Sequence, residues 1–303
     1  FGRGGGHAEV TIDQEKCSLC GLCVQVCKGN PLYIEDGRVQ VDHSRTFGCI
    51  GCGQCMCVCP GGAIQVTGRD LSPADLLPFK SLPAASDFDA FYGLSARRRS
   101  VRDFDEREVE DELIEKILKA ASTAPMGLPP SEVGVLVLSG RERVAAFRDS
   151  LVTFLRKIQF LFRMPSLALM RPFMGGDDYK MMKAFVSPAL AIYTREAAEG
   201  DDWFFYNAPL ALLFHANSFA DPADAYIAAT YAMLAGQSLG LGSCMLGFPG
   251  MICQYDKATR RKFGLPLHYR GGLMVVFGHP RFKYQRGVAR RFGKVDWQRR
   301  EAA

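Results

Sequence analysis

Eight cysteines between Cys17 and Cys59 constrain this 303-residue chain more than any other feature. They fall into two runs, Cys17, Cys20, Cys23, Cys27 and Cys49, Cys52, Cys55, Cys59, each spaced C-x2-C-x2-C-x3-C, with Pro60 after the second. Two intervening residues let a tight turn aim three soft thiolates at one centre, and Gly21, Gly51 and Gly53 loosen those turns. A structural zinc site takes four ligands, commonly as two C-x2-C pairs set well apart, and would leave half of these cysteines without a role. A disulfide framework suits small secreted domains, and this chain is much longer.

The ladder resembles the bacterial two-cluster ferredoxin pattern, in which three cysteines of each run bind one cubane and the fourth crosses to the other. That resemblance implies one [4Fe-4S] cluster on Cys17, Cys20, Cys23 and Cys59, and a second on Cys49, Cys52, Cys55 and Cys27. Lys28 stands where a proline usually follows the first run, and the extra Cys57 leaves the register of the second run open. Residues 1–68 are therefore expected to form a ferredoxin-like domain, with candidate strands at Val10–Ile12 and Ala63–Val66. A linker over 69–86 is broken by Pro73, Pro78 and Pro83, and a second domain occupies 87–303.

A hydrophobic content of 48% is enough for a sizeable core. No run of eighteen apolar residues occurs, so no membrane-spanning helix is expected. The segment FGRGGGHAEV lacks an apolar signal region and an initiator Met, and reads as a processed end or an expression remnant. Eleven cysteines without a secretory signal point to a reducing, cytoplasmic setting. The net charge of +5 gathers at Arg97–Arg102 and in the tail from Arg281 to Arg300. Those two short clusters carry no zinc-finger, RRM or helix-turn-helix signature, so a small phosphate ligand is expected there and no nucleic acid.

The second domain alternates helical periodicity with strand-like runs, which makes it α+β with a central sheet flanked by helices. Phe88, Phe91 and Tyr92 mark a short helix, and Val109, Leu113, Ile117 and Ala121 form the stripe of another over 108–121. Residues 141–162 are amphipathic through Phe147, Leu151, Phe154, Leu155, Ile158 and Phe162. Asp221-Pro222 starts a helix that Gly240 ends, apolar on nearly every side and so expected to be buried centrally or between subunits. Buried strands are expected at Val133–Leu138, Ala189–Tyr193, Pro209–Phe214 and Leu273–Phe277.

Over residues 87–291 the chain resembles the nitroreductase family through four segments in the family's order. These are Arg98-Arg99-Ser100-Val101-Arg102, Ala124-Pro125-Met126-Gly127, the loop Gly240-Leu241-Gly242-Ser243-Cys244-Met245-Leu246-Gly247, and Phe277-Gly278-His279-Pro280 with Lys283, Arg286 and Arg290. Asn207-Ala208-Pro209, opening a strand, adds a fifth match. The resemblance implies FMN, its phosphate gripped by Arg98, Arg99, Ser100, Arg102 and Arg286, its ring beside Pro125, Met126, Gly127, Cys244, Met245, Leu246 and Gly247. Arginine suits such a phosphate because its planar, permanently charged fork reaches two oxygens. Glycines near Gly242 would let main-chain amides approach the ring. Met126 and Leu128–Ser131 replace the asparagine and Gln-Pro-Trp common in the family's second loop. His215, His268 and His279 show no metal spacing, and Cys244 reads first as small apolar packing.

Together the halves imply an iron-sulfur flavoprotein oxidoreductase, homodimeric by resemblance, that relays single electrons from two clusters to FMN. Its acceptor would be an electron-poor small molecule such as a nitroaromatic or quinone. The donor would be NAD(P)H or an external ferredoxin, and no G-x-G-x-x-G marks a dinucleotide fold. The rival reading is an electron-transfer protein serving a protein partner. No side chain stands out as a catalytic acid.

Overall fold

The computed structural model describes residues 8–27, 30–45, 48–69, 71–76, 87–127, 132–199, 202–217, 220–266, 268, 270–285 and 292–298. Most of the expected linker, from 77 to 86, lies outside them. So do Lys28, Leu128–Ser131, Arg286 and Arg290.

The N-terminal unit runs β1 (Glu9–Ile12), α1 (Leu22–Val26), β2 (Leu32–Glu35), β3 (Arg38–Val41), α2 (Gln54–Val58) and β4 (Ile64–Thr67). Its first and last strands pair antiparallel, Glu9 opposite Thr67 and Ile12 opposite Ile64. Strands β2 and β3 form a hairpin whose turn residues Asp36 and Gly37 both have positive φ, 49° and 68°, the geometry that matches strand twist. Leu32, Val39, Met56, Ile64 and Val66 make a small buried core beside the cysteines. After β4, Pro73–Asp75 forms one tight turn capped by the Ser72 side chain.

The second unit continues with α3 (Phe88–Arg97), α4 (Asp111–Ala121), β5 (Val133–Ser139), α5 (Arg141–Ile158), α6 (Met164–Met170), α7 (Gly176–Met181) and α8 (Ser187–Glu199). Then come β6 (Leu210–Ala216), α9 (Pro222–Ser238), β7 (Gly242–Leu246), α10 (Gly247–Tyr255), α11 (Lys257–Lys262) and β8 (Arg270–Gly278). The four strands form one antiparallel sheet in the order β5-β6-β8-β7. Central β6 and β8 are apolar at successive positions, Leu210–Phe214 and Met274–Phe277 being fully buried, because both faces of the sheet are covered. One face carries Phe147, Leu151 and Leu155 of α5 over Ala211, Leu213, Met274 and Val276. The other carries Ile114 and Ile117 of α4 and the alanines of α9 over Leu210, Leu212, Val275 and Phe277.

Three expectations are corrected. Ala189–Tyr193 is not a strand but part of helix α8; a five-residue apolar run fits either element, and Pro188 just before it together with Ala-rich sequence favours a helix. Val133–Leu138 is a strand, but an edge strand and only half-buried. The segment from Gly242 to Leu246 is the other edge strand, where a loop was expected. Helix α9 starts as read, Asp221 Oδ1 accepting the Ala223 N–H at 2.8 Å. It buries Ala225, Ala228, Ala229, Ala232 and Gly236 while Tyr226, Ile227 and Tyr231 stay partly exposed, so its burial is one-sided within the chain.

Candidate functional site

The cysteine runs fold in a repeated local geometry. Gly21 and Gly53 precede α1 and α2 in the left-handed conformation, φ 73° and 69°, which glycine adopts without the Cβ penalty. At the other end Cys27 and Cys59 are extended and leave the helix. The consequence is an exchange of ligands between halves. Cys17, Cys20, Cys23 and Cys59 line one pocket, and Cys27, Cys49, Cys52 and Cys55 line another. Ile12, Val39 and Ile64 wall the first, and Val10, Leu32 and Val66 the second. Cys57, in contrast, is exposed and borders neither.

The electrostatics of these cavities ask for a positive occupant. Burial, together with the neighbouring Cys49, Cys52 and Cys27 thiolates, pushes the Cys55 thiol up to about 12. Burial raises Cys23 and Cys49 as well. Four thiolates in an apolar hole are stable only when a cationic centre offsets their charge, which couples metal binding to thiol ionisation. The Ala63 N–H already points at Cys59 Sγ from 3.2 Å. Four soft donors, apolar walls and an amide directed at sulfur fit an iron-sulfur cluster.

In the second unit the segment after α3 runs beside β7. The Val101 N–H donates to the Ser243 carbonyl at 2.9 Å, and Ser100 bridges Ser243 in parallel. Gly242 is required for this approach: a Cβ there would stand 2.7 Å from Val101 Cβ. The missing side chain thus admits Val101. Side chains alternate along the extended segment. Ser100 and Arg102 hydrogen-bond toward Cys244, and the Arg98 charge acts on it too. Arg97, Arg99 and Val101 instead line an open cleft with Gln237, Lys283 and Gln285.

Cys244 is buried at the centre of the first group. Burial pushes its thiol up, opposed by the Arg102 charge and the Ser100 hydroxyl. The Arg102 guanidinium also lies over the Tyr206 ring, 5.8 Å from its centroid. Tyr206 and Asn207 both hold positive φ, 59° and 50°, a conformation costly for non-glycine residues. Asp202 stabilises this turn by accepting N–H bonds from Phe204, Phe205 and Asn207 at 3.1, 2.8 and 3.1 Å. Arg148 approaches the same carboxylate to 3.3 Å. Sequence reading missed Tyr206 and Asp202; the one signal was the adjacent Asn207-Ala208-Pro209.

Met245 is 54% exposed beside Cys244, Leu246 is half-buried, and Gly247 begins α10. The Gly127 N–H donates to Asp224 Oδ2 at 3.2 Å, and Met126 packs into the cluster on the opposite face of the sheet from Cys244. Within one chain, therefore, the Met126 and Cys244 side chains pack on opposite faces of the sheet. Arg286 lies outside the described residues. His215 stacks over Gly134, where a Cβ would meet its Cε1 at 2.3 Å, and burial lowers its pKa, which suits a structural side chain.

A family model described as the nitroreductase family matches residues 96–279, more than half of the chain. The chain belongs to the nitroreductase family. In this nitroreductase, residues 9–68 match a second model, the 4Fe-4S dicluster domain. Among solved structures, the nitroreductase resembles a mutant of the FMN- and NADPH-dependent nitroreductase NfnB from sphigopyxis sp. strain HMH. That match has a TM-score of 0.50 and 26% identity, and covers 68% of this chain and 98% of that one. An FMN-bound nitroreductase from Bacteroides fragilis matches at 0.49 and 18% identity, over 70% of this chain and 100% of the other.

Among curated proteins, indolepyruvate oxidoreductase subunit IorA of Methanothermobacter marburgensis is 40% identical over 60 residues, 20% of this chain and 9% of that protein. The uncharacterized ferredoxin MJ0155 of Methanocaldococcus jannaschii is 40% identical over 55 residues, 18% of this chain and 34% of that protein. The chain thus spans only a minor part of these relatives' length.

Proposed function

We propose that this nitroreductase reduces an electron-poor small molecule, nitroaromatic or quinone in type, at FMN with electrons relayed through two [4Fe-4S] clusters. The observation that carries the reading is the presence in one chain of two four-cysteine cavities and a cationic strand segment set against Cys244. Cys17, Cys20, Cys23 and Cys59 would hold one cluster, and Cys27, Cys49, Cys52 and Cys55 the other. Arg98, Ser100, Arg102 and Arg286 would hold the FMN phosphate, Arg99 facing the neighbouring cleft instead, with Pro125–Gly127 and Cys244–Gly247 along the ring. When bound, the clusters supply one-electron storage and FMN supplies the exchange between single electrons and an electron pair.

The protein's own contribution is placement and charge. Arg102 and Ser100 direct a charge and a hydroxyl toward Cys244, donors that would meet the phosphate oxygens. The half-buried Leu246 and the buried Cys244 limit water there. Because Pro125–Gly127 sits across the sheet from Cys244, a second copy of the chain would complete the ring site, which supports a homodimer.

A protein acceptor is the second reading, for which the exposed Leu169, Phe173 and Phe185 on and near α6–α8 offer apolar surface. The deciding experiment adds NADH, NADPH or a reduced low-potential ferredoxin separately to the anaerobic, reconstituted protein and follows flavin and cluster bleaching. Cluster bleaching by ferredoxin, followed by flavin reduction and turnover of a nitroaromatic or quinone, is expected. Tight binding of a redox partner with negligible turnover of small acceptors would overturn it in favour of the protein acceptor.

A further inference from the structure

We propose that Arg69 raises the reduction potential of the cluster held by Cys27, Cys49, Cys52 and Cys55 above that of the other cluster, so that an electron on the chain rests there. This rests on the two-cluster reading above. Arg69 is only 7% exposed, and its Nε and Nη2 are buried without a hydrogen-bond partner. A guanidinium is permanently charged and offers donors in a fixed fork, so burying it unpaired is unfavourable unless an anion lies within reach.

The surroundings indicate which anion. The Arg69 stem packs on Gly51, between Cys49 and Cys52: a Cβ on Gly51 would meet Arg69 Cδ at 3.4 Å and Cβ at 3.5 Å. The guanidinium is close enough for its charge to act on Cys49. Arg69 also holds a left-handed φ of 52°, pinned by a turn in which the Leu71 N–H donates to the Gly68 carbonyl at 3.1 Å. A strained backbone position, a buried cation and an adjacent cysteine ligand form one arrangement.

The pseudo-repeat supplies an internal control. The offset of 32 that carries Cys17 onto Cys49 carries Gly37 onto Arg69 and Leu19 onto Gly51. In the first half Gly37 has no heavy atom within 4 Å of its would-be Cβ, and Leu19 is 43% exposed. Lys16, beside the first quartet in sequence, is exposed and paired with Asp13 at 2.7 Å. Among the described residues the two halves therefore differ by one desolvated positive charge. Reduction adds an electron, and a buried cation stabilises the more negative product, which raises the potential of the cluster beside it.

The test is an anaerobic potentiometric titration of the full chain, followed by EPR and visible absorption, with iron and sulfide measured first. Arg69→Gln and Arg69→Met remove the charge and Arg69→Lys keeps it. The neutral variants are expected to disfavour reduction of one cluster at least tenfold, about 59 mV for a one-electron couple. The other cluster should move far less, and the lysine variant should retain most of the parent potential. Repeating the series with Cys20→Ala, which leaves the first quartet three ligands and alters its EPR signature, should place the shift on the other cluster. Unchanged potentials in both neutral variants, or equal shifts of both clusters, would overturn the proposal. Should the neutral variants lose one cluster's iron, retention in Arg69→Lys upholds the role of charge, and loss there too overturns it. If the unsubstituted chain holds fewer than two clusters, the underlying reading is what fails.

Discussion

Cys55 and Cys57 lie two positions apart on α2, and their surroundings give them opposite chemistry. Two residues turn a helix by about 200°, so when Cys55 faces the cavity Cys57 faces solvent. Spacing alone left that register open, because a five-residue helix carries too little apolar pattern to orient it. Cys57→Ser is expected to keep the full iron and sulfide content, whereas Cys55→Ser should lose about half of it on reconstitution. Cys253 shows the effect of burial without ligation: fully buried, its thiol is raised from 9.0 to about 12, by desolvation first and then by Asp256. A raised pKa means the folded chain holds its proton while the unfolded chain releases it, so this contribution is intact below pH 9 and is lost as pH rises toward 12. Replacing Cys253 with Ala is therefore expected to flatten the decline of thermal stability with pH across that window, read by melting curves at fixed ionic strength.

Val101 can lie against strand β7 because Gly242 carries no side chain. Gly242→Ala would force the two apart, with a cost of about 1–3 kcal/mol typical of overpacking. The expected outcome is a lower melting temperature with weaker FMN retention, measured by calorimetry and by the flavin-to-protein absorbance ratio. At α9, Asp221→Ala removes a side-chain cap and should cost about 1 kcal/mol in denaturant unfolding. The start of α9 was legible because aspartate followed by proline specifies a helix entry chemically. The state of Ala189–Tyr193 was not, since a short apolar run has neither period long enough to show, and its neighbours decided it. Gly242–Leu246 was misread for a related reason: glycine and serine signal turns, while here they thin a strand so that another segment can approach.

For the whole molecule, Arg98→Ala combined with Arg286→Ala is expected to release FMN while leaving iron and sulfide unchanged, checked by flavin fluorescence after desalting. Full flavin retention would show that the phosphate is held elsewhere. The cysteine ladder and the four family segments were visible in sequence because each is a local pattern tied to chemistry. The separation of Pro125–Gly127 from Cys244 was not, because it depends on which face of the sheet each connection crosses. The pairing of β1 with β4 has one more consequence, since it sets residue 9 opposite residue 67. A unit whose two ends are stitched together behaves as a cartridge: it can be spliced into a surface loop of another enzyme, or cut out, without threading a chain across its host. A kindred stretch of 60 residues that makes up 9% of an indolepyruvate oxidoreductase subunit is what such portability would leave behind over evolutionary time.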